Sequence, residues 1–314
     1  MWNKWIYNAG PFQGKNKTKS YFEGWYIRIT SREEPWNFAV IPGVSIDSNG
    51  NAIAFLQFIE AEGTSHYLPY PIEEFHASSD EFAIEIGPNR FTDTLIHIDL
   101  RSRGLDFTAD FDLSHSDGFG KNFHTMNAMG WASQVPFLPC YHHILHMRKP
   151  AHGQAKWKES DYSFENAHVY IEKDWGNSFP KSWSWLQSSH LSDAQGAFTA
   201  ATSHLPLGPF KVPAGVAALE LDSDRFFWSS AWGHSWKKET SSSGGVLKFS
   251  NPNHELILEV TTSQTAPLIA PNKGKMDRII QESISGSVGM TLREKRGGII
   301  YSGTASHAGI ELVA

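Results

Sequence analysis

The stretch LDFTADFDL, residues 105–113, alternates apolar and polar side chains with a period of two. In an extended strand, successive side chains point to opposite faces. One face would therefore carry Leu105, Phe107, Ala109, Phe111 and Leu113, and the other Asp106, Thr108, Asp110 and Asp112. This alternation predicts a β-strand with one face in the core and one in water.

The same period recurs elsewhere in the chain. It is seen in EFAIEI (81–86), HELILEV (254–260) and SVGMTLRE (287–294), and turn signals such as SNGN (48–51) and GPNR (87–90) separate the runs. Convincing amphipathic helices are scarce. Many short alternating strands are typical of antiparallel sandwiches and barrels, so the fold class is predicted to be all-β with few short helices.

The best domain boundary lies near residue 150. The segment QVPFLPCYHHILHMR (134–148) holds two prolines and is predicted to be a crossing loop or a short helix, and a polar segment follows it. We therefore expect an N-terminal β domain over 1–150 and a C-terminal β domain over 151–314. Each half has enough predicted strands for its own barrel-like sheet.

Composition narrows the class of protein. The chain has 314 residues, 40% of them hydrophobic, and a net charge of −6, which argues against nucleic acid as the main partner. Cys140 is the single cysteine, so no internal disulfide framework forms. The first fifteen residues lack the features of a signal peptide, and no stretch reaches the ~20 apolar residues of a membrane helix. We expect a cytoplasmic protein that could touch a membrane surface. The sequence does not indicate its oligomeric state.

Common cofactor motifs are missing from the sequence. It contains no G-x-S-x-G, H-E-x-x-H, P-loop or G-x-G-x-x-G, so a nucleotide cofactor is unsupported. His142 and His146 are four residues apart and could share a metal on a helix. The alternatives are a loop, or histidines packed at a domain interface. Because no cysteine-rich or H-E-x-x-H pattern supports a metal, we predict none.

Two charged residues fall on apolar faces of predicted strands. In YFEGWYIRI (21–29), alternation groups Glu23 with Trp25, Ile27 and Ile29, leaving Tyr26 and Arg28 opposite. In HVYIEKDW (168–175), Lys173 is grouped with Val169, Ile171 and Trp175, leaving Glu172 and Asp174 opposite. A buried charge must be paired, protonated or hydrogen-bonded. Glu23 and Lys173 could neutralise each other, or a carboxyl with a raised pKa could act as a proton donor.

The segment SWSWLQ (182–187) also has a distinctive face. Trp183, Trp185 and Gln187 lie together on it, and the serines face away. Two aromatic rings and an amide on one strand face are typical of a pocket wall, although core packing explains either tryptophan alone equally well.

These segments resemble the tocopherol cyclase family. The plant enzymes carry an E-G-W-Y segment, matched here by residues 23–26, and a longer pattern matched by ENAHVYIEKDWGNSFPKSWSWLQ (165–187). TSQTAPLIAP (262–271) and ASHAGIELVA (305–314) also look like family segments. Asp174 stands where the plant pattern has Asn, and residues 45–130 match weakly. We expect no plastid transit segment.

The resemblance implies a fold and a reaction. The fold would be a pair of lipocalin-like antiparallel β domains. The reaction would close a prenylated hydroquinone into a chroman ring without a redox cofactor. The ligand would be a small hydrophobic prenylated aromatic or other isoprenoid.

Ring closure requires an acid, an electron-rich wall and a group that holds the phenol. We predict Glu23 or Asp174, and next Glu172, as the acid. The wall would comprise Trp25, Trp175, Trp183 and Trp185. The phenol would be oriented by Tyr26, Lys173 and Gln187.

Three other classes remain open from the sequence. A lipocalin-like fold can carry isoprenoids or quinones without changing them. Tryptophans beside paired carboxylates also suit carbohydrate. A hydratase would share the protonation step but let water attack the cation.

Overall fold

The computed structural model describes residues 9–116, 118–119, 128–136, 138–207, 210–241, 243–262 and 264–314. The first eight residues of the N-terminal stretch, which bear on the signal-peptide prediction, lie outside these ranges. The described strands all pair antiparallel and form two sheets. The described helices are single short 3₁₀ turns, at Ile72–Glu74, Arg101–Arg103, Gly130–Gln134 and Ser230–Trp232. The all-β prediction is confirmed.

The first sheet has eleven strands in the order β4-β3-β2-β1-β11-β10-β9-β8-β7-β6-β5. Their bounds are β1 Tyr21–Thr30, β2 Phe38–Ile46, β3 Ala52–Glu60, β4 Thr64–Pro71, β5 Phe75–Ala77, β6 Ala83–Ile86, β7 Asn89–Thr92, β8 Leu95–Asp99, β9 Phe107–Leu113, β10 Cys140–Trp157 and β11 Ser160–Gly176. The alternation predicted over residues 105–113 is observed in β9, whose apolar side chains are buried.

This sheet curls around a single core. One cluster of buried side chains draws on strands from both ends of the sheet, for example Phe58 of β3, Trp25 of β1, Ile84 of β6 and Phe107 of β9. Phe58 and Phe107 have ring centroids 4.4 Å apart although their strands are far apart in the sheet order. The result is a nearly closed barrel.

The second sheet has the order β15-β14-β13-β12-β21-β20-β18-β17-β16, with β19 paired to β20 beside this path. Its strands are β12 Trp183–Ser188, β13 Gly196–Leu207, β14 Phe210–Leu221, β15 Asp224–Ser229, β16 Ser235–Ser241, β17 Gly244–Ser250, β18 His254–Thr261, β19 Ala266–Asn272, β20 Lys275–Glu294 and β21 Ile299–Val313. It encloses a second core that includes Leu186, Trp228, Leu258 and Met290.

The segment 134–148 was predicted wrongly. It enters β10 at Cys140, and apart from a 3₁₀ turn ending at Gln134 it is not helical where it is described. Its prolines precede the strand, where they cost no ladder hydrogen bond. β10 runs through residue 150, and the two sheets separate between Gly176 and Trp183. The division into two folding domains remains a prediction, and residue 150 lies inside a strand.

A third buried cluster lies between the sheets. It joins side chains from the outer face of the barrel, such as Tyr26 and Tyr170, to Trp185 and Ile284 of the second sheet. Arg28 ties the layers together: its guanidinium donates to Gln187 Oε1 at 3.1 Å, to Asn37 Oδ1 at 3.3 Å and to the carbonyl oxygen of Ile284. Only 1% of Arg28 is exposed, so these bonds form away from water.

In the part of the chain that the structure describes, none of the helices has the length and apolar character needed to cross a lipid bilayer.

Replacing Arg28 should weaken the contact between the sheets. Arg28→Ala removes a buried cation and leaves carbonyl and amide oxygens without a donor, so we expect the free energy of unfolding to fall by at least about 2 kcal/mol. Urea denaturation measures this loss. The matched control is Arg90→Ala, since Arg90 pairs with Glu85 on the surface and should contribute less than about 1 kcal/mol. Equal effects of the two substitutions would contradict the role of Arg28.

Candidate active site

A cavity of about 270 Å³ lies between the two sheets. Its walls come from β1, β2, β3, β10 and β11 of the barrel, from β12, β13, β14, β15, β19, β20 and β21 of the second sheet, and from the segment 128–136. Most of the lining is apolar and includes Phe22, Ile41, Phe55, Phe179, Leu205, Val216, Leu268 and Ile280. Such a lining favours a hydrophobic ligand held by a few polar groups.

Glu172 of β11 is the central polar group on the cavity wall. Its Oε2 atom accepts hydrogen bonds from the hydroxyl of Tyr170 at 2.5 Å and from the indole N–H of Trp185 at 2.8 Å. Strand alternation aims Glu172 out of the barrel toward the second sheet, and β12 brings Trp185 to meet it. Tyr170 of the first sheet and Trp185 of the second sheet thus meet at the carboxyl group of Glu172.

His142 of β10 links Glu172 to Asp174. Its Nδ1 atom lies 3.1 Å from Asp174 Oδ1, and its Nε2 atom lies 3.8 Å from Glu172 Oε2. The register explains this geometry, because His142 of β10 lies opposite Asp174 of β11 in the ladder. All three side chains line the cavity. They form a compact group that can hold and exchange protons.

The environment changes the pKa values of this group. Burial raises the pKa of Glu172 to about 7, against the lowering effect of His142 and of the hydrogen bonds from Tyr170 and Trp185. Burial lowers the pKa of His142, but the nearby carboxyls of Asp174 and Glu172 outweigh burial and raise the pKa to about 9. At neutral pH the imidazole is therefore a cation, and Glu172 keeps its proton to a higher pH than an exposed glutamate does.

Two more carboxyl groups are buried beside this group. Glu282 of β20 accepts from the hydroxyl of Tyr26 at 2.5 Å, and Glu311 of β21 accepts from the indole N–H of Trp183. Burial raises the pKa of Glu282 to about 8 and raises the pKa of Glu311 well above its usual value. Both carboxyls consequently keep their protons to a higher pH than an exposed glutamate does, which lowers the cost of burying them.

The aromatic side of the cavity is formed by Tyr26, Trp183 and Trp185. Tyr26 meets the ring of Trp185 edge-on, with centroids 5.0 Å apart, and Phe179 meets Trp183 at 5.4 Å. The N–H groups of both tryptophans donate to buried glutamate side chains, which fixes the orientation of the rings. Two electron-rich indoles are therefore held beside the protonated group.

Glu23 and Lys173 lie on the opposite face of β1 and β11, inside the end of the barrel. The Lys173 Nζ atom is 2.5 Å from Glu23 Oε1, and both side chains have 0% exposure. Lys173 also donates to the carbonyl oxygens of Ala9 and Pro11, while Glu23 accepts from Tyr21 and from the backbone N–H of Gln13. The pair is saturated with partners and anchors the N-terminal segment, as the pairing hypothesis expected.

The other residues predicted for the site also fall into two groups, those that line the cavity and those that do not. Trp25 packs in the barrel core and donates to the carbonyl of Gly10, and Trp175 stacks on Tyr141 beside Lys173. Gln187 lies between the sheets, where it bonds to Arg28 and Ser189. None of these, nor Glu23 or Lys173, is among the cavity-lining residues, whereas Tyr26, Glu172, Asp174, Trp183 and Trp185 are. The prediction had pooled residues from both faces of β1 and β11.

Sequence reasoning missed three residues of the site. His142 was considered as a metal ligand, a loop residue or a histidine at a domain interface, but not as part of a proton-exchanging group, because its segment was not identified as a strand. Glu282 and Glu311 carry the signal that pointed to Glu23, namely a carboxylate on an apolar strand face. In β20, Glu282 alternates with Ile280 and Ile284. The same search applied to β20 would have found it.

Among the described residues, His142, Glu172 and Asp174 form the group whose potential ligand atoms all lie within 4.8 Å of one another. His142 is hydrogen-bonded to Asp174 at 3.1 Å, and its buried Nε2 atom lies 3.8 Å from Glu172, so we interpret the three residues as a proton-exchanging group. His146 does not join it: the bulge in β10 sends its ring to Asp93, at 2.8 Å, and Ser116, at 3.0 Å. The pair His142 and His146 therefore does not share a site.

Breaking the Glu23–Lys173 pair should destabilise the protein. Glu23→Ala or Lys173→Ala leaves one buried charge without its partner, and we expect each to lower the free energy of unfolding by about 3–5 kcal/mol. The double variant Glu23→Leu/Lys173→Met removes both charges and should lose much less than the sum. Chemical denaturation of the three variants measures this coupling. Additive losses would contradict the pairing.

Glu172 should make stability depend on pH. Its pKa is raised from 4.5 to about 7, so between these values the folded state keeps a proton that the unfolded state has lost. The free energy of unfolding must then fall as pH rises through this window. Relative to Glu172→Gln, the wild type should lose up to about 3 kcal/mol from pH 4.5 to pH 7. A difference that stays constant with pH would show that Glu172 titrates normally.

Comparison with known proteins agrees with this architecture. A crystal structure of an AttH candidate from Nitrosomonas europaea superposes with a TM-score of 0.55 at 13% identity, covering 93% of both chains. The crystal structure of CghA with Sch210972 gives a TM-score of 0.57 at 12% identity, covering 94% of this chain and 89% of that one. At these identities the likeness establishes a shared fold.

Sequence relatives are more specific. A protein of Oryza sativa subsp. japonica, named as a probable chloroplastic tocopherol cyclase, is 27% identical over 204 residues, which cover 58% of this chain and 41% of the rice protein. The chloroplastic tocopherol cyclase of Zea mays is 26% identical over 200 residues, covering 60% and 42%. Less than half of each plant protein is therefore matched. The model of the tocopherol cyclase-like family matches residues 92–313, which include β9 to β21 and every carboxyl group of the cavity, so the chain belongs to the tocopherol cyclase-like family.

Proposed function

We propose that this protein is an enzyme that closes a prenylated hydroquinone to a chromanol in the cavity between the sheets. The observation that carries the proposal is the group of Glu172, His142 and Asp174, held at the wall of an apolar cavity beside two indole rings. Family membership and the plant relatives support the reaction class. The geometry supports the assignment of roles.

The first step is protonation of the prenyl double bond. Glu172 holds a proton near neutral pH because burial raises its pKa to about 7. It transfers that proton to the less substituted alkene carbon, and positive charge develops at the tertiary carbon. An apolar site favours this transfer, since little water competes for the proton and the donor is already oriented by Tyr170 and Trp185.

The developing cation requires stabilisation without a strong nucleophile. Trp183, Trp185 and Tyr26 offer aromatic faces and edges at the cavity wall. A cation over an indole face gains about 0.5–2 kcal/mol, and more where water is excluded. The ionised Glu172 left behind adds an opposite charge close to the reacting carbon.

The second step is attack of the phenol oxygen on the tertiary carbon. A C–O bond forms and the phenol releases its proton, which Asp174 accepts. His142 lies beside both carboxyl groups, so its imidazolium can give the Nε2 proton to the ionised Glu172, and the proton that Asp174 gained then restores the imidazolium. The proton gained by carbon is balanced by the proton lost from oxygen, and no electrons are exchanged. The chemistry therefore requires no redox cofactor.

Glu23 has no part in this proposal. Its carboxyl is bound to Lys173 within the barrel and does not line the cavity. Lys173, Trp25 and Trp175 act on stability, and Gln187 acts through Arg28. The acid is accordingly Glu172, with Asp174 as the proton acceptor.

The test is anaerobic incubation of the pure protein with a prenylated methylbenzoquinol, followed by mass spectrometry of the products. The wild type should form a chromanol of unchanged mass. Glu172→Gln and His142→Gln should lower the rate by about 10²–10⁴-fold, because the donor or its proton return is lost. The buried control Glu23→Gln should retain most of its turnover per folded molecule, and the surface control Glu85→Gln all of it.

Other outcomes would indicate a different function or a different acid. A hydrated side chain, heavier by one water, would indicate a hydratase. Unchanged quinol that nevertheless raises the melting temperature would indicate a carrier. Loss of turnover in folded Glu23→Gln, with Glu172→Gln active, would overturn the assignment of the acid.

A further inference from the structure

An exposed apolar patch lies at the rim of the cavity. We define the rim patch as Trp131, Phe210, Val212 and Trp232, which are 51%, 71%, 41% and 37% exposed. Large side chains of this kind cost free energy in water, and a contiguous group of them marks an interaction surface. Trp131 and Val212 also line the cavity, so the patch and the cavity share one wall.

A contact joins Trp131 to the turn that carries Trp232, and Phe210 and Val212 share one face of β14. The indole N–H of Trp131 donates to the carbonyl of Ala231, which precedes Trp232. Ser230 is fastened to β14 by its hydroxyl, which accepts from the N–H of Gly215 at 2.9 Å. Ala231, Val212 and Trp131 all line the same cavity. The patch is therefore built on described elements that support one another.

Exposed lysines lie close in the chain to residues that line the cavity. The chain has a net charge of −6, yet exposed Lys181, Lys211 and Lys273 each lie within two residues of a cavity-lining residue. Lys275 lies beside Met276 of the lining and pairs with Asp277 at 3.3 Å. Lys211 lies between Phe210 and Val212 in the chain. Exposed aromatics among lysines suit an anionic lipid surface.

We propose that the rim patch docks on an anionic lipid bilayer, so that a prenylated ligand passes from the lipid into the cavity without crossing water. Identification of the ligand rests on the function proposed above; the docking does not. The patch places Trp131 and Val212 where the bilayer surface and the cavity wall would be continuous. Aromatic side chains at such a boundary sit in the interfacial layer of the lipid.

Vesicle sedimentation tests the docking. The wild type should sediment with vesicles of phosphatidylcholine and phosphatidylglycerol, less with phosphatidylcholine alone, and less as salt is raised. Phe210→Ser/Trp232→Ser should lower partitioning by about tenfold or more, through lost apolar contact. Lys211→Gln should lower it about fivefold on anionic vesicles only. The control is Ile299→Ser, which removes a side chain that is 66% exposed outside the rim patch and should change nothing.

Two results would overturn the docking. One is a wild type that stays in the supernatant with every vesicle, and the other is an equal loss in Ile299→Ser. Sedimentation velocity that shows a dimer broken by Phe210→Ser/Trp232→Ser would assign the patch to a second copy of the chain instead.

Delivering the quinol either from vesicles or from a cyclodextrin complex tests the docking and the cyclisation separately. From vesicles, Phe210→Ser/Trp232→Ser should turn over more slowly than the wild type; from a cyclodextrin complex, the rates should be equal. A wild type that binds vesicles but converts quinol from neither source would reject the cyclisation and leave the docking standing. A wild type that converts quinol without binding vesicles would reject the docking and leave the cyclisation standing.

Discussion

The antiparallel pairing of β1 with β11 is the constraint on which the rest of this structure depends. Its register sets Trp25 opposite Lys173 and Tyr26 opposite Glu172, so each strand gives alternate residues to two different environments. One face fills the end of the barrel with the Glu23–Lys173 pair. The other carries Tyr26, Arg28 and Glu172 to the second sheet. A shift of one residue would exchange the two sets.

Burial explains how the same strands can support both structure and chemistry. Inside the barrel, a carboxylate and an ammonium meet with all their remaining hydrogen bonds satisfied, and the charges are stabilised. Between the sheets, Glu172, Glu282 and Glu311 have no cation as close, and burial raises the pKa of each. An acid that keeps its proton at neutral pH is what protonation of an alkene requires. The proposed site is therefore the place where the fold buries carboxyls with a more distant cation than Lys173 is to Glu23.

Much of this arrangement could be predicted from alternation alone. The period of two gave the all-β class, the buried faces of β9 and β18, and the opposite placement of Glu23 and Glu172. The long-range partners could not be predicted. Trp185 contacts Glu172, and Glu282 contacts Tyr26, which lies 256 positions away in the chain, because the two sheets pack together. Periodicity within a strand holds no information about that packing. The strand that carries His142 was not predicted, because the prolines before β10 are typical of a loop.

The measurement that tests the central claim most directly is turnover of the prenylated quinol in deuterated buffer. If an acid of the cavity protonates the alkene, the chromanol carries one carbon-bound deuterium, placed on one face of the former double bond. Glu172→Gln should slow its formation without changing the labelled position. A chromanol without carbon-bound deuterium, or with the label equally on both faces, would contradict proton delivery by a fixed group of the protein.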